Sequence, residues 1–255
     1  MKILVCIKQV VDGSDTLSLD GETGSLEATS STVYRMNRAD EFALEEALLL
    51  RESLGRGTVD AVTVGPSRAV SVLRRAVEMG VDGAIHILCP DDAPLGPTFV
   101  ARALSSWTKR HGYDLVLAGV MSEDAMAGVT GNLVAAFLSC PCATSVVEVE
   151  PVVACDRVQA VSEVEGGVRH VYAIELPAVL AIQTGINVPR YPTLTNVLKA
   201  RTMKPVTVPI ESLGPGDSPE PIRSYRRPEE RRKGAFLEGS PRDKAHALAD
   251  FLRDQ

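Results

Sequence analysis

A loop of small and acidic residues between an apolar run and a helical pattern is well suited to bind an anion. Residues 119–132 read GVMSEDAMAGVTGN, after YDLVLAG and before LVAAFL. Backbone N–H groups at a helix N-terminus, together with the helix dipole, attract phosphate, which is therefore the first ligand to consider. The glycine spacing fits neither the dinucleotide fingerprint nor the P-loop, and an ordinary strand-to-helix turn explains the same residues. The loop alone leaves both interpretations open.

Side chains of the types that make or break bonds form no recognisable catalytic set. Glu123 and Asp124 are a conceivable acid–base pair, but adjacent carboxylates beside a phosphate would repel it, which favours structural or solvent-facing roles. Asp40 and Glu41 are equally explained as first-turn partners of a helix dipole. The sequence has no G-x-S-x-G elbow, no H-E-x-x-H helix and no S-G-G-x-D-S pyrophosphate loop. We therefore predict no catalytic residue.

Cysteines and histidines give no sign of a metal site or of disulfides. The closest cysteine pair, C-P-C, lacks the two-residue spacer of zinc or thioredoxin-type motifs, and we expect all cysteines to be reduced. The histidines show no metal-ligand spacing, so we predict no metal site. The five cysteines are Cys6, Cys89, Cys140, Cys142 and Cys155, and the four histidines are His86, His111, His170 and His246.

Composition limits the class of protein. With 255 residues, 45% of them hydrophobic, the chain can bury one sizeable core or a main domain plus an extension. Its 27 basic and 33 acidic residues argue against a nucleic-acid role that rests on a positive field over the whole chain. MKILVCIKQVV begins a strand rather than a secretory signal, and no stretch reaches the ~18 apolar residues of a spanning helix. We expect a cytoplasmic protein without membrane insertion.

The elements that must position the loop alternate between strands and helices. Helical patterns in ADEFALEEALLLRESLGRG, PSRAVSVLRRAVEMG and TFVARALSSWTKRHG separate the apolar runs KILVCIKQV, TVDAVTVG, GAIHIL and YDLVLAG. Asn37 is a plausible N-cap of the first helix. Such alternation predicts a parallel sheet with helices on both faces and ligands at the carboxyl ends of the strands. We therefore expect one ligand site at this edge of the sheet. The candidate segments for it are the strand ends at residues 6–11, 63–67 and 119–130, the end of the third strand, and the helix start at Asn37.

The second half has a different pattern. RVQAVSEVEGGVRHVYAIEL alternates with period two around Gly166 and Gly167, which predicts an antiparallel hairpin with a two-glycine turn. PAVLAIQ reads as another strand, and NVPRYPTLTNVLKAR carries a helical tail. Beyond Lys204 the composition shifts to Pro, Gly, Glu and Arg, which predicts an arm or linker that ends in a helix over PRDKAHALADFLRDQ. An arm lying on a partner and a flexible tail fit this composition equally.

Several of these stretches, taken in order, resemble the β subunit of electron transfer flavoprotein. KILVCIKQVVD resembles the first strand of that family and its Lys-x-Val-x-Asp continuation. YRMNRADEFALEEALLLRE resembles its Met-Asn-Pro-x-Asp/Glu-Glu-x-Ala-x-Glu-Glu-Ala segment, and VGPSRAVSVLRRAVEMGVDGAIHI its Gly-Pro and Leu-Arg-x-Ala-x-x-Met-Gly-Ala-Asp segment. VEGGVRHVYAIELPAVLAI with INVPRYPTLTNVLKA resembles the long family signature. The similarity covers residues 1–204 in register.

The resemblance implies a fold and a set of partners. The fold would be α/β, with a Rossmann-like parallel sheet of the adenine nucleotide alpha hydrolase-like type, an added antiparallel hairpin and a C-terminal arm. Residues 1–204 would form the nucleotide-binding domain, and residues 205–255 an extended arm and helix packing on an α subunit that holds redox-active FAD. Electrons would arrive from dehydrogenases and leave toward a membrane quinone-linked oxidoreductase or another acceptor. This chain would be an electron carrier subunit rather than a catalyst.

The resemblance also implies an adenine nucleotide in this subunit, AMP in the housekeeping type or a second FAD in the electron-bifurcating type. The ending Thr130-Gly131-Asn132 is closer to the Thr-Gly-Gln of AMP-type members than to the Val-Gly-Pro of bifurcating ones. The implied cofactor-binding residues are Cys6, Asn37, Arg38, Ala39, Asp40, Val64, Gly119, Val120, Met121, Ser122, Glu123, Asp124, Ala127, Gly128, Val129, Thr130, Gly131 and Asn132. A partner-recognition loop falls on residues 183–191, where Ile186 matches an exposed leucine anchor. The implied partner-binding residues are Ile186, Asn187, Pro189, Arg190 and Tyr191.

The chain also departs from the family pattern. Of Gly-Lys/Arg-Gln-Ala-Ile-Asp-x-Asp in the nucleotide loop it keeps only Gly119 and Asp124, without the basic residue. Arg38 and Ala39 replace a proline and an aromatic residue, and Gly13 replaces another aromatic residue. A nucleotide-sensing module of the universal-stress type shares the sheet architecture and is the alternative, although such a module needs neither the hairpin nor the PRYPTL loop.

Overall fold

The computed structural model describes residues 1–12, 17–19, 26–89, 95–152, 156–214, 216, 225, 234 and 236–253. The strands are β1 (Lys2–Cys6), β2 (Gln9–Val11), β3 (Ser18–Leu19), β4 (Leu26–Glu27), β5 (Tyr34–Met36), β6 (Thr58–Gly65), β7 (Gly83–Leu88), β8 (Leu115–Gly119), β9 (Cys142–Val152), β10 (Arg157–Glu163), β11 (Arg169–Glu175), β12 (Ala178–Ile182) and β13 (Val206–Pro209). The helices are α1 (Arg38–Leu54), α2 (Val70–Met79), α3 (Pro97–His111), α4 (Thr130–Leu138), α5 (Leu194–Thr202) and α6 (Pro241–Arg253), with 3₁₀ turns at Ser67–Ala69, Glu165–Gly167 and Ile210–Leu213.

Nine of these strands form one sheet, in the order β11-β10-β9-β12-β8-β1-β6-β7-β13. The neighbours from β9 to β13 run parallel, whereas β10 is antiparallel to both β9 and β11. The predicted α/β class with an added hairpin is confirmed. The hairpin turn is longer than predicted, because the N–H of Val164 bonds the carbonyl of Val168 and leaves a loop of three residues, in which Gly166 and Gly167 have positive φ.

Two hydrophobic layers cover the two faces of this sheet. Ile3 and Val5 of β1 pack in one layer with the buried faces of α1 and α2, and Leu4 packs in the other with α3 and α4. Alternate residues of a strand point to opposite faces, so a strand buried on both sides is apolar throughout. This accounts for the continuous apolar runs at β1, β8 and β12.

The C-terminal boundary differs from the prediction. The sequence assigned residues 205–255 to the arm, but β13 pairs with β7, and Ile210 and Leu213 are each only 3% exposed in the core. Residues 206–209 therefore belong to the main sheet, and the 3₁₀ turn Ile210–Leu213 packs in its core. The chain divides into one compact unit of Met1–Ser18 with Glu27–Arg223 and another of Leu19–Leu26 with Ser224–Gln255.

The predicted C-terminal helix is present as α6, in the second unit. None of its 13 residues, all of which the structure describes, is buried. Ser240 and Asp243 form a reciprocal cap at its start, since the backbone N–H of Ser240 donates to Asp243 Oδ2 at 3.0 Å and that of Asp243 donates to Ser240 Oγ at 3.3 Å. Among the helices of the described ranges, none has the length and apolar character needed to cross a bilayer.

Candidate functional site

The candidate anion loop begins in the middle of the carboxyl edge of the sheet. Cys6 at the end of β1 pairs with Ala118 of β8, and Gly119 pairs with Ile182 at the end of β12. The N–H of Val120 continues this pattern by donating to the carbonyl of Ile182 at 2.9 Å. The loop of residues 120–129 thus leaves the sheet between two other strand ends, where open parallel sheets bind ligands.

Asp40, in the first turn of α1, joins two of these strand ends. Its Oδ2 accepts a hydrogen bond from the backbone N–H of Lys8 at 2.7 Å, and its Oδ1 accepts one from the N–H of Gly119 at 3.1 Å. Burial raises the pKa of Asp40 to about 7, while these two hydrogen bonds act in the opposite direction. The helix dipole alone therefore does not explain this residue, whose two oxygens both bind backbone groups of the site.

Asn37 holds the loop itself. Its Nδ2 donates to the carbonyl of Met121 at 3.0 Å, and its Oδ1 accepts from the N–H of Glu123 at 3.1 Å. Asn37 stands at the N-cap position of α1, but its side chain makes no capping hydrogen bond to that fully described helix. The predicted N-cap position is confirmed, but both polar atoms of the side chain bind the loop instead of the helix. The residue is 1% exposed.

Each of the two acidic residues of the loop has a basic partner. Asp124 Oδ1 lies 2.6 Å from Lys8 Nζ, and Glu123 Oε2 lies 2.8 Å from Arg35 Nη2. Burial tends to raise the pKa of Asp124, but the hydrogen bond and the charge of Lys8 hold that pKa below its usual value. These ion pairs reduce the repulsion that two adjacent carboxylates would exert on a bound anion.

Helix α4 starts directly above the sheet edge. A methyl group on Gly131 would meet the Cβ atoms of Ala181 and Ala118 at 3.6 and 3.8 Å, so small residues on both sides let the helix approach the strand ends. The N–H groups of the first turn have no intrahelical acceptor and are available to an anion. Gly128 has φ of +64°, a left-handed conformation that turns the chain just before the helix.

The predicted cofactor-binding residues lie on three strand ends and two helix starts. Residues 37–40 directly contact residues 119–123 through the hydrogen bonds of Asn37 and Asp40. Val64 is the next-to-last residue of β6, the strand beside β1. Burial raises the pKa of the Cys6 thiol, at the end of β1, to about 12, so this thiol stays protonated. Arg38 is exposed, Ala39 is buried, and Gly13 lies outside the described residues.

Two basic residues that contact the loop were missed by the sequence reasoning. Lys8 lies within residues 6–11, the candidate segment at the end of the first strand. This position at a strand end is the signal in the sequence that points to Lys8. Arg35 reaches the loop because β5 pairs with β2, with Arg35 opposite Val10. Nothing in the sequence indicates this pairing of two three-residue strands.

The predicted partner-recognition loop is fixed to α1 by Arg190. Its Nε and Nη2 atoms donate to Glu45 Oε1 at 3.0 and 2.9 Å, and Nη1 and Nη2 donate to the carboxylate of Glu52. Hydrogen bonds to Glu52 and Glu45 raise the pKa of the Arg190 guanidinium. The side chain of Glu45 is 4% exposed, so the carboxylate of this ion pair is largely shielded from water. Asn187 adds a bond from Nδ2 to Glu46 Oε2 at 2.9 Å.

The exposed apolar side chains of this loop differ from the predicted anchor. Ile186 is partly buried and packs against the main core. Val188 and Tyr191, in contrast, are 87% and 93% exposed. Of the predicted partner-binding residues, Tyr191 is therefore the one whose large apolar side chain is exposed, and Val188, which is not among them, is exposed as well.

Within the described ranges, no group of three or more His, Cys, Asp or Glu side chains has the geometry of a metal site. Cys6, Cys89, Cys140 and Cys142 are free thiols, and Cys155 lies outside the described residues. A shallow depression of about 510 Å³ between the start of β9 and the edge strand β11 contains none of the predicted site residues. The carboxyl edge of the sheet remains the candidate site.

Known proteins resemble this chain over most of its length. The profile of the electron transfer flavoprotein domain matches residues 27–213. The mitochondrial electron transfer flavoprotein subunit beta of Oryza sativa subsp. japonica is 35% identical over 245 residues, which cover 93% of each chain. The subunit beta of Bacillus subtilis (strain 168) is 30% identical over 260 residues, 100% of this chain and 98% of the relative. The Homo sapiens subunit beta is 33% identical over 219 residues, 85% of this chain and 82% of the relative.

Proposed function

The chain belongs to the electron transfer flavoprotein β-subunit family, and from this membership we propose that it acts as the β subunit of a heterodimer that carries electrons and has no bond-making catalysis of its own. The partner is an α subunit that holds FAD, which supplies the electron chemistry. Dehydrogenases deliver the electrons, and a membrane quinone-linked oxidoreductase accepts them. The residues of this chain bind a nucleotide, shape the face toward the α subunit and present the 183–191 loop to partners.

The nucleotide site is the carboxyl edge of the sheet around β1, β8 and α4. The observation that carries this assignment is that Asn37 and Asp40, both buried, fix the loop after β8 to the end of β1 through four hydrogen bonds to its backbone and that of Lys8. The donors there suit a phosphate group: the Lys8 ammonium, the Ser122 hydroxyl and the first-turn N–H groups of α4. Asn37 and Asp40 position these donors, since their own polar atoms bind backbone groups.

We favour AMP over a second FAD as the nucleotide. Thr130-Gly131-Asn132 resembles the ending of AMP-type members, and a mononucleotide needs only one cluster of phosphate donors. The nucleotide has a structural role, because no residue of the site is arranged to transfer a group. It orders the loop and, through it, the face of the subunit.

The C-terminal arm packs on the α subunit in this proposal. Its helix α6 exposes Leu248, Phe251 and Leu252 at 49%, 60% and 66%, an apolar set that suits burial against another protein. The arm that we propose begins after residue 213, since Val206–Pro209 pair with β7 and Ile210 and Leu213 are buried in the core.

The proposal is tested by co-expression with the α subunit and mass analysis of the nucleotides released by acid from the purified complex. We expect a yellow heterodimer with one FAD and one AMP. Two FAD molecules per heterodimer and no AMP would instead assign the chain to the electron-bifurcating type, in which this subunit binds a second FAD. A yellow heterodimer with one FAD and no second nucleotide would overturn the nucleotide site, and a colourless chain that binds no α subunit would overturn the function.

A further inference from the structure

Lys8 extends from the middle of the sheet into the candidate loop. It lies two residues beyond the end of β1, the fourth of the seven strands from β9 to β13 that run parallel. Its backbone N–H is fixed by Asp40 Oδ2 at 2.7 Å. Its ammonium nitrogen lies 2.6 Å from Asp124 Oδ1 and 3.3 Å from Ser122 Oγ. Helix α1 therefore fixes the backbone N–H of Lys8 at the site, and the loop fixes its ammonium group.

Of the two basic residues that contact the loop, Lys8 is the one better placed to meet an anion. Residues 119–132 contain no basic residue. Arg35 bonds Glu123 at 2.8 Å, lies 3.6 Å from Asp12 and donates to the carbonyl of Met36, so each nitrogen of its guanidinium already has a partner. The ammonium of Lys8 has three donors, of which its contacts with the described residues use two. The third can bind a phosphate oxygen without breaking the ion pair.

We propose that Lys8 recognises the phosphate group of the nucleotide, held in position for this by Asp124 and Ser122. This inference rests on the proposed nucleotide site and assigns a specificity to it. The ammonium discriminates a nucleotide from a nucleoside, because a charged hydrogen bond forms only when the phosphate is present. The adenine and the ribose bind independently of Lys8.

The test compares AMP with adenosine on the purified heterodimer after removal of bound nucleotide, by calorimetric titration. For the wild type we expect AMP to bind much more tightly than adenosine. Lys8→Met lowers the affinity for AMP by about 10- to 100-fold and changes that for adenosine by less than about twofold. Lys8→Arg retains most of the AMP affinity. The matched control is Lys109→Met, on an exposed lysine in the last turn of α3, which leaves both affinities unchanged.

The outcomes separate this inference from the proposed function. A wild type that binds neither ligand overturns the nucleotide site and with it the role of Lys8. A wild type that binds AMP while Lys8→Met binds it equally well overturns the role of Lys8 alone. If Lys8→Met fails to assemble, as judged by circular dichroism and gel filtration, Lys8→Gln replaces it, because an amide keeps a donor for Ser122 without the charge. An equal loss of AMP and adenosine affinity in that variant would show a structural role and contradict phosphate recognition.

Discussion

The Oδ1 atom of Asp40 lies 3.1 Å from the backbone nitrogen of Gly119, so helix α1 holds the end of β8 directly. The other oxygen of the same carboxyl group binds the chain just beyond β1. One buried acidic group thus aligns two adjacent strand ends, and its protonation state affects the geometry of the candidate site.

The stability of the fold should depend on pH through Asp40. Its pKa is about 7 in the native chain, whereas an aspartate of an unfolded chain titrates near 3.9. The native state therefore binds the proton more tightly between these values, and the associated stability is lost as the pH rises toward 7. We expect the free energy of unfolding of the wild type, relative to Asp40→Asn, to fall between pH 5 and pH 7 by at most about 1.4 kcal/mol per pH unit.

Urea unfolding of both full-length chains at pH 5, 6 and 7 measures this difference. The charged and titratable neighbours of Asp40 are Lys8 and Cys6, and the Cys6 thiol, whose pKa burial raises to about 12, keeps its proton in this range. Parallel pH profiles in the two proteins would show that Asp40 is ionised throughout and would contradict the prediction.

Gly119 and Gly131 should differ in their tolerance of alanine. A methyl group on Gly119 would overlap Asp40 Oδ1 and come within 2.8 Å of backbone and side-chain carbons of Ala39. One on Gly131 would meet its neighbours at 3.6 Å or more, an ordinary contact distance. We expect Gly119→Ala to lower the free energy of unfolding by about 1–3 kcal/mol and Gly131→Ala by well under 1 kcal/mol. Equal denaturation midpoints for the two variants would contradict the close packing of Asp40 on Gly119.

Removing the side chain of Asn37 should loosen the loop locally. Asn37→Ala leaves the carbonyl of Met121 and the N–H of Glu123 without their side-chain partner, at a cost of about 1–3 kcal/mol. We expect hydrogen–deuterium exchange to accelerate in peptides that cover residues 119–129. Peptides from α3 serve as the internal control and should exchange as in the wild type. Unchanged exchange in the loop would mean that the ion pairs of Lys8 and Arg35 suffice to hold it.

The two ion pairs Arg190–Glu45 and Arg157–Glu175 should contribute very differently to stability. The side chain of Glu45 is 4% exposed, whereas the side chains of Arg157 and Glu175 are 45% and 69% exposed. Arg190→Met removes the cation of a buried carboxylate, which keeps only the backbone N–H of residue 190, and should cost about 3 kcal/mol. Arg157→Met is the matched control and should cost less than about 1 kcal/mol, because water screens that pair. Thermal or urea unfolding measures both, and similar losses would contradict the difference in desolvation.

The sequence predicts those parts of the fold in which a local pattern reflects burial. The strands β1, β6, β7, β8 and β12 are apolar runs because both of their faces are covered, and the helices between them carry apolar stripes. Strand β13 was missed because it is an edge strand of four residues, three of them exposed, and such a strand needs no apolar pattern. The boundary after Lys204 was misplaced for this reason.

The candidate site could be located from the sequence, but its internal contacts could not. The order of strands and helices places the 119–132 loop at the carboxyl edge. The partners of Asp40, in contrast, lie 32 and 79 residues away along the chain, and those of Asn37 lie 84 and 86 residues away. Local spacing explains both residues only by the start of helix α1, because it carries no information about such distant partners, and the family resemblance assigned them to the cofactor site.

The attachment of Arg190 to the acidic face of α1 bears on the energetic cost of covering the 183–191 loop with another protein. A loop already held in one conformation loses little conformational entropy when it is covered, and it needs no rearrangement before contact. The exposed side chains of Tyr191 and Val188 therefore lie on a loop whose conformation is already fixed. In the proposed electron-carrying heterodimer, this arrangement lowers the entropic cost of each encounter with a docking partner.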